Sequence, residues 1–133
     1  MNDLIFIVDD IVLIADLVRY NLGIIGLSNT IAFNNPLSCI EYLQTDTIPA
    51  VVISDFQMPQ MNGVELLNTL KKEHTEISGI IMTSDPAAAA SVQHQYPIIE
   101  KENSNFFFEL LSRVSDSLGR VYAPYDHKIA LPD

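Results

Sequence analysis

Four short apolar runs in this chain end in, or lead into, polar residues able to do chemistry together. Leu4-Ile5-Phe6-Ile7-Val8 ends in Asp9-Asp10, Ala50-Val51-Val52-Ile53-Ser54 ends in Asp55, and Gly79-Ile80-Ile81-Met82 ends in Thr83. Tyr96 to Ile99 leads through Glu100 into Lys101. Gathered at one edge, three carboxylates repel one another unless a cation lies between them. Hard oxygen donors with open coordination positions suit Mg2+, which keeps several waters and shares itself with a substrate phosphate. Beside such a cation Asp55 can act as a carboxylate nucleophile that attacks phosphorus and becomes an acyl phosphate. Phosphoryl transfer needs positioning and positive charge around the equatorial oxygens, and Mg2+, the Lys101 ammonium and the Thr83 hydroxyl supply these. Taken singly, each residue has a plainer reading: an acidic pair after a strand is often a solvated loop or a helix cap, and a lone Asp, Thr or Lys is commonly structural. Their ordered recurrence after separate apolar runs carries the chemical reading.

The elements that must position these residues follow from changes in apolar period. The first run is continuous and short, which suits a strand buried on both faces. From Ile11 to about Leu22 the period lengthens, placing Val12, Ala15, Val18 and Leu22 on one helical face with Leu13 and Leu17 beside it, and Gly23 and Gly26 stop this helix. Asn29 to Phe33 reads as a weak strand, and Asn34-Asn35-Pro36 opens a second helix with Leu37, Ile40 and Leu43 inward. After the strand ending at Asp55, a loop runs from Met58 to Gly63, and Asn62 caps a helix to about Glu73 that buries Val64, Leu67 and Leu70. The fourth strand, Gly79 to Thr83, is followed by a short Ala-rich helix from Pro86 to about His94 and a fifth strand from Tyr96 to Ile99. Asn103 or Ser104 caps a last helix with Phe107, Leu110, Leu111, Val114 and Leu118 at helical spacing. Five apolar strands alternating with five helices predict an α/β fold, a doubly wound parallel sheet with helices on both faces. In such sheets ligands bind at the carboxyl ends of the strands, where the polar residues above gather.

The composition excludes several function classes. With 133 residues, 48% of them hydrophobic and 18% charged, the chain fits one globular domain. A net charge of −10 with only seven Lys and Arg argues against nucleic-acid binding. No stretch reaches the roughly 18 apolar residues of a membrane span, and the start lacks the features of a signal peptide, so the expected location is cytoplasmic. The one cysteine, Cys39, rules out an internal disulfide and reads as a small packed residue. His74, His94 and His127 share no ligand spacing and read as surface or loop residues rather than a zinc site.

From Leu4 to about Leu118 the sequence resembles the receiver domains of two-component response regulators, of the chemotaxis-regulator type. The strongest stretch is Val51-Val52-Ile53-Ser54-Asp55-Phe56-Gln57-Met58-Pro59-Gln60-Met61-Asn62-Gly63, similar to the family's phosphoacceptor strand and its M-P-x-M-x-G loop. Ile7-Val8-Asp9-Asp10 resembles the metal-binding start, and Met82-Thr83-Ser84 the switch-threonine segment. The resemblance implies a flavodoxin-like fold of strand order 2-1-3-4-5 with a receiver domain over 1–118, and the remaining 119–133 is expected to be a mobile tail rather than a segment docked on a partner. It implies phosphorylation on Asp55, with Mg2+ held by Asp9, Asp10, Asp55 and the Gln57 carbonyl, and Thr83 and Lys101 contacting the phosphoryl group. The implied partners are a sensor histidine kinase or histidine phosphotransfer protein and a downstream protein target, with a homodimer as a further possibility and no nucleic acid or membrane. The domain is then a signalling phosphoacceptor, not an enzyme beyond its own phosphorylation and dephosphorylation. Gln57 and Asp85 stand where the family tunes the access of attacking water.

Two departures bear on switching. Where the family has Pro after the Lys, joined by a cis bond, this chain has Glu102. A cis bond there would cost about 3–4 kcal/mol, so a trans Lys101-Glu102 link or a rearranged loop is expected. The switch aromatic's position is Ile98, while Tyr96 lies two residues earlier on the same face. The segment between Thr83 and Lys101 is also about one helical turn short. These oddities fall on the surface where the family dimerises or meets targets. Phe106-Phe107-Phe108 adds apolar bulk there, either with Phe107 inside and another ring exposed to a partner, or with all three packed. The tail, with Tyr122, Pro124, Tyr125 and Ile129, is too short to fold alone. A second reading is a receiver-fold binding module that works without phosphorylation. A third, a phosphatase of the haloacid-dehalogenase type, is weak because the general acid two residues after the nucleophile is replaced by Gln57.

Overall fold

Backbone polar groups in an apolar run can be buried only if a ladder satisfies them, and this chain solves that with one parallel sheet. The computed structural model describes residues 3–43 and 47–119. Strands β1 (Ile5–Val8), β2 (Thr30–Phe33), β3 (Val51–Asp55), β4 (Ser78–Thr83) and β5 (Ile98–Glu100) pair in parallel in the order β2-β1-β3-β4-β5. Helices α1 (Val12–Ile24), α2 (Pro36–Leu43), α3 (Gly63–Glu73), α4 (Pro86–Ala90) and α5 (Phe106–Leu118) connect and follow them. This is the α/β flavodoxin-like arrangement expected from the sequence.

Alternate strand residues face two separate cores. Ile5, Ile7, Val51, Ile53, Ile80, Met82 and Ile99 pack against Ala15, Val18 and Leu22 of α1 and Phe106, Leu110, Leu111 and Val114 of α5. Phe6, Val8, Val52 and Ile81 pack against Cys39 and Leu43 of α2, Leu66, Leu67 and Leu70 of α3, and Ala89 of α4. Cys39 is fully buried and burial pushes its thiol up to about 12, so it behaves as the small packed residue expected.

Several inward assignments are corrected. Val12 is exposed, because it occupies the first turn of α1, beyond the sheet edge; Leu13 and Leu17 are exposed as well. Leu37 is also exposed: α2 starts at Pro36, and Pro36, Cys39 and Leu43 form its buried face, with Ile40 half-buried. On α5 the ring held inside is Phe106 rather than Phe107, which is half-buried, while Phe108 is exposed. Helix α1 runs through Gly23, and it is Gly26, at φ 90°, that turns the chain afterwards. Helix α4 stops at Ala90, before the expected His94, and β5 begins at Ile98 rather than Tyr96. Pro97 gives its carbonyl to the Ile81 amide but has no N–H for a ladder, which delays the start of β5.

Asn62 caps α3 as expected, within a reciprocal capping box. Its side chain accepts from the Glu65 amide at 2.9 Å, and Glu65 accepts from the Asn62 amide at 2.8 Å. Asn62→Ala removes one of these bonds and is expected to lower unfolding free energy by about 1 kcal/mol in urea titration, with Asn62→Asp retaining most of it. The expected tail over 119–133, with Tyr122, Pro124, Tyr125 and Ile129, lies outside the described residues beyond Gly119, as does His127. Among the described residues no helix is long and apolar enough to cross a membrane.

Candidate functional site

Strand β1 has β2 on one side and β3 on the other, so the chain's direction of travel across the sheet reverses here, which opens a crevice at the carboxyl edge. Asp9 follows β1 at this edge and Asp55 ends β3 beside it. Carboxylate oxygens of Asp9, Asp10 and Asp55 lie within 4.8 Å of one another. Asp9 is fully buried, Asp55 is nearly so, and Asp10 is exposed, which leaves the cluster open to solvent on one side. The Asp9 carboxylate is fixed from two directions. Its Oδ1 accepts from the Ile11 amide at 2.9 Å, and its Oδ2 accepts from Lys101 Nζ at 2.8 Å.

Lys101 reaches the cluster because β5 aligns with β4: Thr83 pairs with Glu100, and the Lys101 amide donates to the Thr83 carbonyl at 2.8 Å. Its ammonium touches both Asp9 and Asp55, at 2.8 Å and 3.1 Å. Burial alone would lower the Lys101 pKa, but the Asp9 hydrogen bond and the charges of Asp55 and Asp9 raise it overall, so the cation is secure. The peptide bonds of the described residues, Lys101-Glu102 among them, are all trans, as the missing proline led us to expect. Thr83 is buried at the end of β4, one residue beyond the Met82 that pairs with Asp55. Its hydroxyl accepts from the Asp85 amide at 2.9 Å, and Asp85 in turn caps α4 through the Ala88 amide. Gln57 stands in the loop leaving β3, exposed. Asp9, Asp10, Asp55, Gln57, Thr83 and Lys101 thus come to one edge of the sheet.

Asp55 carries the electrostatic signature of the site. Burial and the neighbouring charge of Asp9 push its pKa up, Lys101 pulls it back, and the balance stands at about 6. A carboxyl bound more tightly to its proton in the folded chain than in the unfolded chain contributes stability below pH ~4, and that contribution is lost as pH rises through about 6. In metal-free buffer, Asp55→Asn is therefore expected to be more stable than the wild type at pH 8 by on the order of 2 kcal/mol, and so to melt higher, with the gap closing toward pH 4. Thermal melts of both proteins across that range check it, and Mg2+ should raise the wild type more than the variant.

One residue pair was not foreseen. His94, read from the sequence as a surface or loop residue, is bonded within the connection between α4 and β5, and Tyr96 hydrogen-bonds Asn68 of α3 at 2.6 Å. Tyr96 and Ile98 both pack toward the α2–α3 core, on the same face as expected.

A family model described as the response regulator receiver domain matches residues 5–101. The DNA-binding transcriptional regulator NtrC of Escherichia coli is 37% identical over 94 residues, covering 69% of this chain but 20% of that protein. The chain thus spans about a fifth of the length of the curated relatives it first matches. A response regulator receiver domain protein from Clostridium thermocellum superposes with TM-score 0.72 at 20% identity, over 88% of this chain and 94% of its own. A CheY-like receiver domain protein from Methanospirillum hungatei superposes with TM-score 0.73 at 19% identity, over 90% and 95%. At those identities the solved structures speak for the fold.

Proposed function

This chain belongs to the response regulator receiver domain family, and on that premise we propose that Asp55 accepts a phosphoryl group and so works as a signalling switch. The observation that carries the reading is the convergence of Asp9, Asp10 and Asp55 with Lys101 bonded to two of them. The donor is a phosphohistidine on a sensor kinase or phosphotransfer protein, and 1–118 is the receiving unit, with 119–133 a tail beyond it.

The donor set fits a hard divalent cation, since it consists of carboxylate oxygens on a partly open face. Asp9, Asp10, Asp55 and the Gln57 carbonyl would hold Mg2+, which when bound supplies positive charge to the phosphoryl oxygens. The chain's own groups do the rest. Asp55, with its pKa at about 6, is mostly ionised at neutral pH and presents an oxygen to phosphorus. The new oxygen–phosphorus bond forms as the donor's phosphorus–nitrogen bond breaks, and the leaving imidazole keeps the electron pair and takes a proton from solvent. Lys101 and the Thr83 hydroxyl contact the transferred oxygens. Added charge at this edge then biases a surface that a target protein reads.

The test is to incubate the protein with Mg2+ and a small phosphodonor, or with beryllofluoride, and follow intact mass and amide NMR shifts. The expected result is one added phosphoryl group, dependent on Mg2+, with shifts centred on Asp55. A wild type that stays silent at millimolar Mg2+ overturns the reading in favour of a binding module that works without phosphorylation.

A further inference from the structure

His94 joins the two ends of the connection between α4 and β5. Its Nδ1 lies 3.1 Å from the Tyr96 amide nitrogen, and its Nε2 lies 3.1 Å from the Ala89 carbonyl oxygen. A backbone amide can only donate and a carbonyl can only accept, so both bonds form in one state alone: neutral imidazole with the proton on Nε2. A second proton, on Nδ1, would set one N–H against another and break the bond to Tyr96. The imidazole also stacks on the Tyr96 ring, with centroids 6.0 Å apart. That ring is fixed in turn by Asn68 through its hydroxyl and by the Lys71 ammonium 5.7 Å from its centroid.

We propose that His94 is a proton-operated clasp that holds the α4–β5 connection closed when neutral and releases it when protonated. The surroundings favour release on protonation. The hollow beside the imidazole is lined by Asn68 and Lys71 of α3 and by Gln93, Gln95 and Tyr96 of its own connection; α4 contributes the neutral Ala89. Lys71 is the one charged group in that lining, and it is a cation, so no carboxylate there rewards an imidazolium. The clasp also sits at a mechanically useful place. Tyr96 precedes Pro97, whose carbonyl accepts from the Ile81 amide at 2.9 Å to open the β4–β5 pairing. The far end of β5 delivers Lys101 to the acidic cluster. Because both bonds need the neutral ring, the connection is expected to loosen on acidification. The inference does not depend on Asp55 accepting phosphate.

The experiment is NMR on the full chain. Long-range nitrogen–proton spectra at pH 8 should show His94 as the Nε2–H tautomer. From pH 8 to pH 5 the Tyr96 amide should shift together with the His94 ring, and its exchange protection, corrected for intrinsic rate, should fall about 5-fold. His94→Gln should abolish that pH response, and His74→Gln should leave it intact. An Nδ1–H tautomer at pH 8 overturns the proposal, as does a Tyr96 amide that ignores pH in the wild type or still titrates in His94→Gln.

Discussion

Asp55→Asn is expected to abolish acceptance of a phosphoryl group, with labelling by a small phosphodonor falling roughly 100-fold or more. The amide has nearly the shape of the carboxylate but offers no nucleophilic oxygen, so the variant separates chemistry from folding. Because Asp55 is nearly buried and surrounded by acid, the variant should also be the more stable protein without metal, so loss of labelling could not be ascribed to unfolding. Intact mass after incubation with Mg2+ and phosphodonor, read beside a thermal melt of the same sample, measures both at once. Residual labelling at wild-type level would place the acceptor on another side chain, with Asp10, the exposed member of the cluster, the first to examine. Parallel loss of labelling and of the folded state would remove the support for Asp55 altogether.

How much of this was legible in the sequence depended on how each element is stabilised. Strands buried on both faces read as continuous apolar runs, and the polar residue ending each run marked the carboxyl edge, so Asp9, Asp55 and Thr83 were placed without ambiguity. Helical faces were less secure, because starting a helix one residue early or late rotates its inward face by about 100°. That is why Leu37 was set inward beside Ile40 and Leu43, and Phe107 in place of Phe106. Val12 misled for another reason: it continues the apolar stripe of α1, but the stripe outruns the sheet beneath it. The connection after α4 was the least legible. Its order comes from His94 bonding two backbone groups and from Tyr96 reaching Asn68 across 28 positions, and no periodicity announces contacts of that kind. The absence of a cis link after Lys101 was nonetheless readable, since Glu102 stands where a proline would have been needed.

The second large effect is expected at Gly63, where the loop after β3 meets α3. Gly63 does not need a positive φ; it needs to lack a side chain. A Cβ there would overlap the Asp55 backbone carbonyl and press on Ile81 Cδ1 at 3.0 Å and Ser54 Oγ at 3.1 Å. The Gly63 amide also donates to the Phe56 carbonyl at 2.8 Å, so the helix start cannot back away without breaking the bond that closes the loop. Gly63→Ala is therefore expected to cost about 3 kcal/mol or more, and to move the carboxylate of Asp55 as α3 is pushed from β3. Two other glycines calibrate the result. At Gly79 the added carbon would meet the ends of Leu67 and Tyr96 side chains, which can swing aside, so Gly79→Ala should cost less. At Gly23, inside α1, nothing lies within 4 Å, and alanine should stabilise the helix by up to ~1 kcal/mol. Urea unfolding of the three variants tests the ranking. If Gly63→Ala proved as mild as Gly79→Ala, the close approach of α3 to the Asp55 backbone would not be what fixes the acceptor. The loop would then owe its glycine to helix initiation alone.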